Sequence, residues 1–215
     1  MVSFYKEQIN ELSKVQRLNL INSCTGYKSA NLIGTKSKEG KSNVAIFSSI
    51  THLGSSPALL GFILRPATVP RNSYTNIKET QYFTVNHVTD ELIAQAHHTS
   101  AAYDFGVSEF DVTGIEEMYH ANIEVPFVAK SPVQILCKYV NEYPIIENGC
   151  IHIIASIEAV FCNEELVSKD YWLQLDKGNV VAINGLDGYC LPKLLNRFEY
   201  ARPFTETTSL KGNGS

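Results

Sequence analysis

The stretch SNVAIFSSITHLGSSPALLGFILRPATVPRNSYT, residues 42–75, decides the fold. Val44, Ile46, Ser48 and Ile50 alternate with Ala45, Phe47 and Ser49, the two-residue period of a strand with chemically distinct faces. His52, Gly54, Ser55, Ser56 and Pro57 then supply turn chemistry. Ala58 to Leu64 is almost wholly apolar, which suits a strand buried on both faces. It stops at Arg65-Pro66. A second arginine, Arg71, precedes Asn72, Ser73 and Thr75, where a helix is expected to begin and run to about Thr80. Small hydroxyl residues on a strand, then arginine and hydroxyls at a helix start, suit a flat ligand with an anionic tail. Free N–H groups and the positive helix end favour a phosphate there, and arginine can grip it bidentately.

Working outward, Ile9, Leu12, Val15 and Leu18 recur at helical spacing and predict a lead-in helix across residues 1–20. Gly26 marks a turn, Ala30–Thr35 a strand, and Gly40 a hairpin into the organising strand. Downstream, Tyr82–Val88 has the aromatic and β-branched content of a strand. Thr89 or Asp90 then caps a helix in DELIAQAHHTSAAY. Residues 105–131 mix Gly, Pro and charge with Phe110, Met118, Tyr119 and Phe127, and predict a loop-rich excursion over a site or a subunit interface. Val133–Val140, Gly149–Phe161 and Val180–Ile183 return to strand. Residues 205–215 have nothing to bury and are expected to be disordered. Many short strands with hairpin turns and few helices point to an antiparallel barrel.

Composition narrows the function. A chain of 215 residues fits one domain, or one domain with an excursion, and can bury a substantial core. A formal charge of −4 argues against a nucleic-acid partner. No apolar run approaches the ~20 residues needed to span a bilayer, so no membrane association is expected. MVSFYKEQINEL lacks the apolar core of a signal peptide, and a cytoplasmic location is expected. Five scattered cysteines without a C-x-x-C pair predict reduced thiols. His97 and His98 are adjacent on a helix and point about 100° apart, so they make no chelating pair; no metal is expected. There is no G-x-G-x-x-G after a strand, hence no separate nicotinamide-binding unit. G-x-S-x-G and H-E-x-x-H are absent too.

Four further runs accompany residues 42–75 in order: SANLIGTKS (29–37), NIKETQYFTVNHV (76–88), NGLDGYCLP (184–192) and YARP (200–203). Together they resemble the flavin reductase-like family, FMN-binding split barrels that include the reductase components of two-component monooxygenases. The resemblance implies a mainly β, antiparallel Greek-key split barrel over residues 21–204. It further implies FMN as cofactor, NAD(P)H as co-substrate, and a homodimer with flavin at the subunit boundary. A flavin-dependent monooxygenase is the implied downstream partner. By the same resemblance Ser48, Ser49, Ile50 and Thr51 lie along the isoalloxazine ring. Arg71, Ser73 and Thr75 match the phosphate turn, with Asn72 where other members often carry histidine. Arg65 serves the ring, the phosphate or a carboxylate. Ser29, Ala30, Asn31 and Leu32 pass the other side of the flavin, where Asn31 bonds the pyrimidine edge or holds a turn. Asn86 sits where the family closes its site. His87 beside it reads as a satisfied strand-end side chain, and Tyr200–Pro203 as a tail near the site or a packed strand. Hydride transfer between nicotinamide and flavin requires no protein acid or base, so no catalytic residue is singled out. Two rival readings stay open: an electron carrier of flavoredoxin type that exchanges electrons with protein partners, and a flavin-binding protein without turnover.

Overall fold

Alternating faces give the chain its main sheet, seven strands paired antiparallel throughout. The computed structural model of the chain describes residues 1–66, 71–104 and 106–210. Helices α1 (Lys6–Glu11) and α2 (Lys14–Cys24) lead into β1 (Lys28–Ser29), β2 (Asn31–Lys36), β3 (Ser42–Phe47), β4 (Thr51–Ser55) and β5 (Ala58–Leu64). Helix α3 (Asn72–Thr80) and strand β6 (Tyr82–His87) follow, then α4 (Ile93–His98) and α5 (Glu109–Thr113). Short strands β7 (Glu117–Met118) and β8 (Phe127–Val128) precede the long hairpin of β9 (Val133–Ile145) and β10 (Cys150–Cys162). Four short strands complete the described chain: β11 (Ala182–Asn184), β12 (Gly188–Cys190), β13 (Arg197–Phe198) and β14 (Ser209–Leu210). Among the described residues no helix is long and apolar enough to cross a membrane.

Seven strands pair in the order β3-β2-β6-β9-β10-β5-β4, all antiparallel. Side chains alternate across β2 and divide the core in two. Ala30 and Leu32 pack outward with Val44, Val88, Leu92, Ala96, Phe110 and Ile115, under α4 and α5. Ile33 points inward with Leu60, Phe62, Phe83, Val85, Cys137, Ile153 and Ala155. There Phe62 meets Phe47 and Phe83 edge-on at centroid distances of 5.2 and 5.6 Å. Helix α3 covers one end of this interior, with Ile77 buried and Asn76 Nδ2 donating to Thr35 Oγ1 at 3.0 Å. Tyr74 Oη donates to Glu142 at 3.0 Å, and Lys78 Nζ reaches Glu142 at 3.3 Å and Tyr139 Oη at 2.8 Å. Burial, then the Glu142 contact, raises the Tyr74 phenol above its ordinary pKa.

The barrel is not closed by strand pairing. Strands β3 and β4 are the outer strands of the sheet. Residues 48–50 cross from one to the other, and Ser49 Oγ ties the crossing to β5 by donating to Ile63 O (3.2 Å) and accepting from Ile63 N (3.0 Å). A hydroxyl here continues the contact of β4 with β5 past the end of their ladder.

Several local expectations are corrected. His52–Ser55 carry turn residues yet form β4, an edge strand whose mostly solvated side chains explain its polar composition. Only Ser56-Pro57 turns. Strand β5 begins exposed at Ala58 and is buried at Leu60, Gly61, Phe62 and Leu64. The lead-in helix is two helices. Ser13 breaks it by capping α2 through a reciprocal pair with Gln16, and neither helix has a buried residue. The helix expected through Tyr103 stops at His98. Thr99 Oγ1 donates to Ala96 O (2.7 Å) and accepts from Ile46 N (2.9 Å), competing with continued helix.

The excursion packs firmly, apart from Phe105, which lies outside the described residues. Phe110, Ile115, Val125, Phe127 and Val128 are all buried. Val128 N donates to Asn86 Oδ1 (3.1 Å), and Val128 O accepts from Gln134 Nε2 (2.7 Å). Gly34 makes the approach possible, because a Cβ there would overlap Pro126 O and the Thr84 hydroxyl that donates to it. In the tail, Arg197–Phe198 pair with Ser209–Leu210, and Arg197 binds Asp170 at 2.7 Å above the Trp172 ring. Residues 211–215 lie outside the described residues. All five cysteines are unpaired.

Candidate functional site

The segment that spans the seam also exposes unused donors. Among the described residues the amides of Ser48, Ser49 and Ile50 give no hydrogen bond to the protein, and all three residues are half-buried. On one side the segment reaches Ile63 through Ser49. On the other, Ser29 Oγ approaches Ile50 O (3.5 Å), and Asn31 Nδ2 donates to Ser29 Oγ at 2.8 Å. Strand β2, the seam segment and the end of β5 therefore meet in one place. Thr51 is exposed at the start of β4.

Cationic groups stand beyond β5. Arg65 is exposed just past Leu64. Arg71 is the N-cap residue of α3, its Nη2 3.5 Å from Pro66 O, and its Nε is buried without a partner among the described residues. The first backbone bond of α3 is Thr75 N to Arg71 O at 3.0 Å, so among the described residues the amides of Asn72, Ser73 and Tyr74 have no backbone partner. A helix start with three open N–H groups beside a guanidinium attracts an anion. The connecting residues 67–70 lie outside the described residues.

Other residues singled out in the sequence are engaged inside the protein. Ser73 is buried and accepts from Asn43 Nδ2 at 3.3 Å. Asn72 ties α3 to the excursion, donating to Asn43 Oδ1 (3.2 Å) and Val107 O (3.4 Å) and accepting from Gly106 N (3.3 Å). Thr75 lines a groove of about 460 Å³ with Lys41, Asn43, Asn76 and Glu79. Ala30 and Leu32 are fully buried core side chains. Asn86, expected at the cofactor, is bonded within the protein. Its Nδ2 donates to Leu32 O (3.0 Å) and Thr84 Oγ1 (2.8 Å) while Oδ1 takes the Val128 amide, so both amide hydrogens are spent inside the fold. Tyr200 and Arg202 are exposed beside the small tail hairpin. His97 and His98 bond Tyr189 Oη (3.2 Å) and Tyr103 Oη (2.7 Å), and the described residues contain no metal-binding cluster.

His87 departs from the expectation that its side chain is satisfied. Its Nδ1 is buried with no partner, and burial pushes the imidazole pKa down to about 4, so the ring is neutral near pH 7. Asn31 lies directly opposite on β2, and its buried Oδ1 is unpaired too. Sequence gave one usable sign, because two polar residues at the inward positions of adjacent strands interrupt an apolar face. Register alone makes them neighbours.

Comparisons with known proteins agree with this geometry. A flavin reductase like domain matches residues 27–179. A candidate flavin reductase with a split-barrel domain from Shewanella frigidimarina is 40% identical, with a TM-score of 0.90 over 94% of this chain and 100% of that one. Component B of nitrilotriacetate monooxygenase from Bacillus cereus superposes with a TM-score of 0.78 at 20% identity, over 93% and 98% of the two chains. Flavoredoxin of Desulfovibrio vulgaris gives 0.68 at 18% identity, over 83% and 92%. The last two likenesses show the shared fold. With a matched domain covering most of its length, an antiparallel split barrel and an open seam, the chain belongs to the flavin reductase-like family.

Proposed function

We propose that the protein binds FMN along residues 48–51 and reduces it with NAD(P)H. The observation that carries this reading is the domain match over residues 27–179, supported by the unused amides of Ser48, Ser49 and Ile50 on the seam. The residues fit such a cofactor. Open backbone donors suit the edge of a ring that gains negative charge on reduction. Arg71, Arg65 and the open amides of α3 suit its phosphate, while Ser29 of β1 and Asn31 of β2 flank the ring. When bound, the flavin supplies a hydride acceptor, and the protein supplies position and fixed dipoles. Ser49 holds the segment in register against β5, so the donors need no rearrangement when the ligand arrives. NAD(P)H would share the same cleft.

The reading extends to a homodimer with the flavin at the subunit boundary, serving a flavin-dependent monooxygenase. One chain alone exposes 13602 Å², whereas a compact monomer of 23.9 kDa exposes about 9,900 Å². Helices α1 and α2, which have no fully buried residue, and exposed Leu195, Tyr200 and Phe204 account for part of that excess. Sedimentation at micromolar concentration should show the dimer alone. A monomer that binds FMN stoichiometrically would refute this part of the proposal. The activity is tested by adding NADH, then NADPH, to the FMN-loaded protein under nitrogen and following flavin absorbance. Bleaching within seconds is expected. A flavin that neither nucleotide reduces would overturn the reductase reading and favour the electron carrier.

A further inference from the structure

A groove of about 460 Å³ runs along the nine-residue helix α3, on the side that faces the turn between β2 and β3. That volume lies within the range of about 300–1,000 Å³ common to small-molecule sites. Asn72, Thr75, Asn76 and Glu79 recur at helical spacing and form its floor. The helical rise makes the floor from Asn72 to Glu79 about 10 Å long. Its near end, Asn72, is one of the three residues whose amides stand open at the proposed phosphate position. The groove therefore continues the site beyond the phosphate. On the excursion side Gly106 leaves room, since a Cβ there would meet nothing within 4 Å.

Hydrogen-bond acceptors dominate the groove. Asn76 is only 5% exposed, its Nδ2 is spent on Thr35 Oγ1, and its Oδ1 accepts no bond among the described residues. One turn further on, Glu79 has an exposed carboxylate that makes no ion pair among them. Across from it Glu39 stays ionised, because its own backbone amide and then the Ser37 hydroxyl hold its carboxyl below the ordinary pKa. Lys41 supplies an ammonium group without an ion pair among the described residues. A ligand that suits this set carries several O–H and N–H donors, with a phosphate at one end. Adenosine phosphates answer to that description, because the ribose diol and the exocyclic amine all donate. A carboxylate on the diol marks sites for an unphosphorylated 2′-hydroxyl, and among the described residues two carboxylates and no arginine line the groove. A 2′-phosphate would be repelled.

We infer that the α3 groove holds the adenosine half of a dinucleotide, its pyrophosphate between the start of α3 and Lys41 and its ribose diol at Glu79. This rests on the flavin-binding reading for the position of the first phosphate. FAD and NADH both carry such a half with a free 2′-hydroxyl, and NADPH does not.

The test titrates AMP into the intact FMN-loaded protein and follows backbone amides by ¹⁵N NMR. Shifts should concentrate on residues 41–43 and 72–79 while FMN stays bound. Adenosine 2′,5′-bisphosphate should bind more weakly than AMP. Glu79→Arg should weaken AMP roughly two- to fivefold and reverse that order. Two comparisons then assign the source. FAD binding roughly tenfold more tightly than FMN, with the gain erased by AMP, would make the groove part of the flavin site. Equal binding of FAD and FMN, with AMP competing against NADH in steady state, would give it to the nicotinamide nucleotide. AMP that affects neither FAD nor NADH would overturn the dinucleotide assignment. AMP that leaves these amides unmoved at millimolar concentration, or moves them only by displacing FMN, would overturn the inference and leave the flavin reading standing. Unchanged affinity and order in Glu79→Arg would refute the placement of the ribose. Failure of FMN to bind would overturn the flavin reading by itself. AMP shifts on the same amides of the flavin-free protein would then uphold the groove, and their absence would overturn it as well.

Discussion

Replacing Arg71 with alanine isolates the phosphate end of the proposed site. The side chain makes no capping bond to α3, and among the described residues its one contact is a long one to Pro66 O, so the helix start should survive the change. What is lost is a guanidinium whose Nε is buried and unpaired next to the open amides of Asn72, Ser73 and Tyr74. A charge-assisted hydrogen bond to phosphate contributes roughly 1.5–3 kcal/mol. At about 1.4 kcal/mol per tenfold, Arg71→Ala should weaken FMN binding roughly 10- to 100-fold. Because Arg71 is only half-buried, the lower end of that range is expected. Riboflavin has no phosphate, and its affinity should barely move. Paired fluorescence titrations of FMN and riboflavin on wild type and variant make the comparison. Equal losses for both ligands would show that Arg71 supports the ring or the fold. No loss for either would place the phosphate elsewhere and refute the assignment.

Two further outcomes follow from buried groups. Asn86→Leu should lower stability in urea by about 2–4 kcal/mol, since it strands the buried Val128 amide and removes two further bonds. The protein that remains folded should bind FMN as before; lost affinity at unchanged stability would make Asn86 a ligand after all. His87 predicts a pH dependence. Its folded pKa of about 4 lies below the unfolded value near 6.5, so the unfolded chain binds the extra proton first. Its contribution is complete above pH 6.5 and falls away toward pH 4, by up to roughly 3 kcal/mol. Urea midpoints of His87→Leu should decline less across that window than those of wild type, and parallel curves would refute the assignment.

The strands and α3 were legible because their signals are local. The alternation from Val44 to Phe47, the apolar run to Leu64, and Arg71 ahead of Asn72 each state their own structure. Ser48–Ile50, expected to continue the alternating strand, leaves it after Phe47 and is held to β5 by a serine hydroxyl, a partner the local pattern does not name. Hidden were facts set by partners distant in sequence. Thr51–Ser55 looks like a turn because an edge strand facing water needs no apolar alternation. Asn86 looks like a ligand until Leu32, Thr84 and Val128 are found around it. His87 looks satisfied until its neighbour across the ladder proves to be an equally unpaired Asn31. A polar residue at a strand end is ambiguous by itself, and only strand register shows whether its hydrogen bonds are already made.

The way the excursion is fastened bears on how the seam is reached. Its anchors, Phe127 and Val128 among them, belong to the buried core, and Gly34 leaves no gap beneath Pro126. Opening this segment would amount to unfolding the sheet, so it works as a wall and not as a door. Hydrogen exchange should separate the two behaviours. The Val128 amide, locked onto Asn86, should exchange only at the rate of global unfolding. The amides of Ser48, Ser49 and Ile50, without a partner among the described residues, should exchange quickly until a ligand claims them. Protection gained there on loading would trace the footprint of whatever the seam was built to hold.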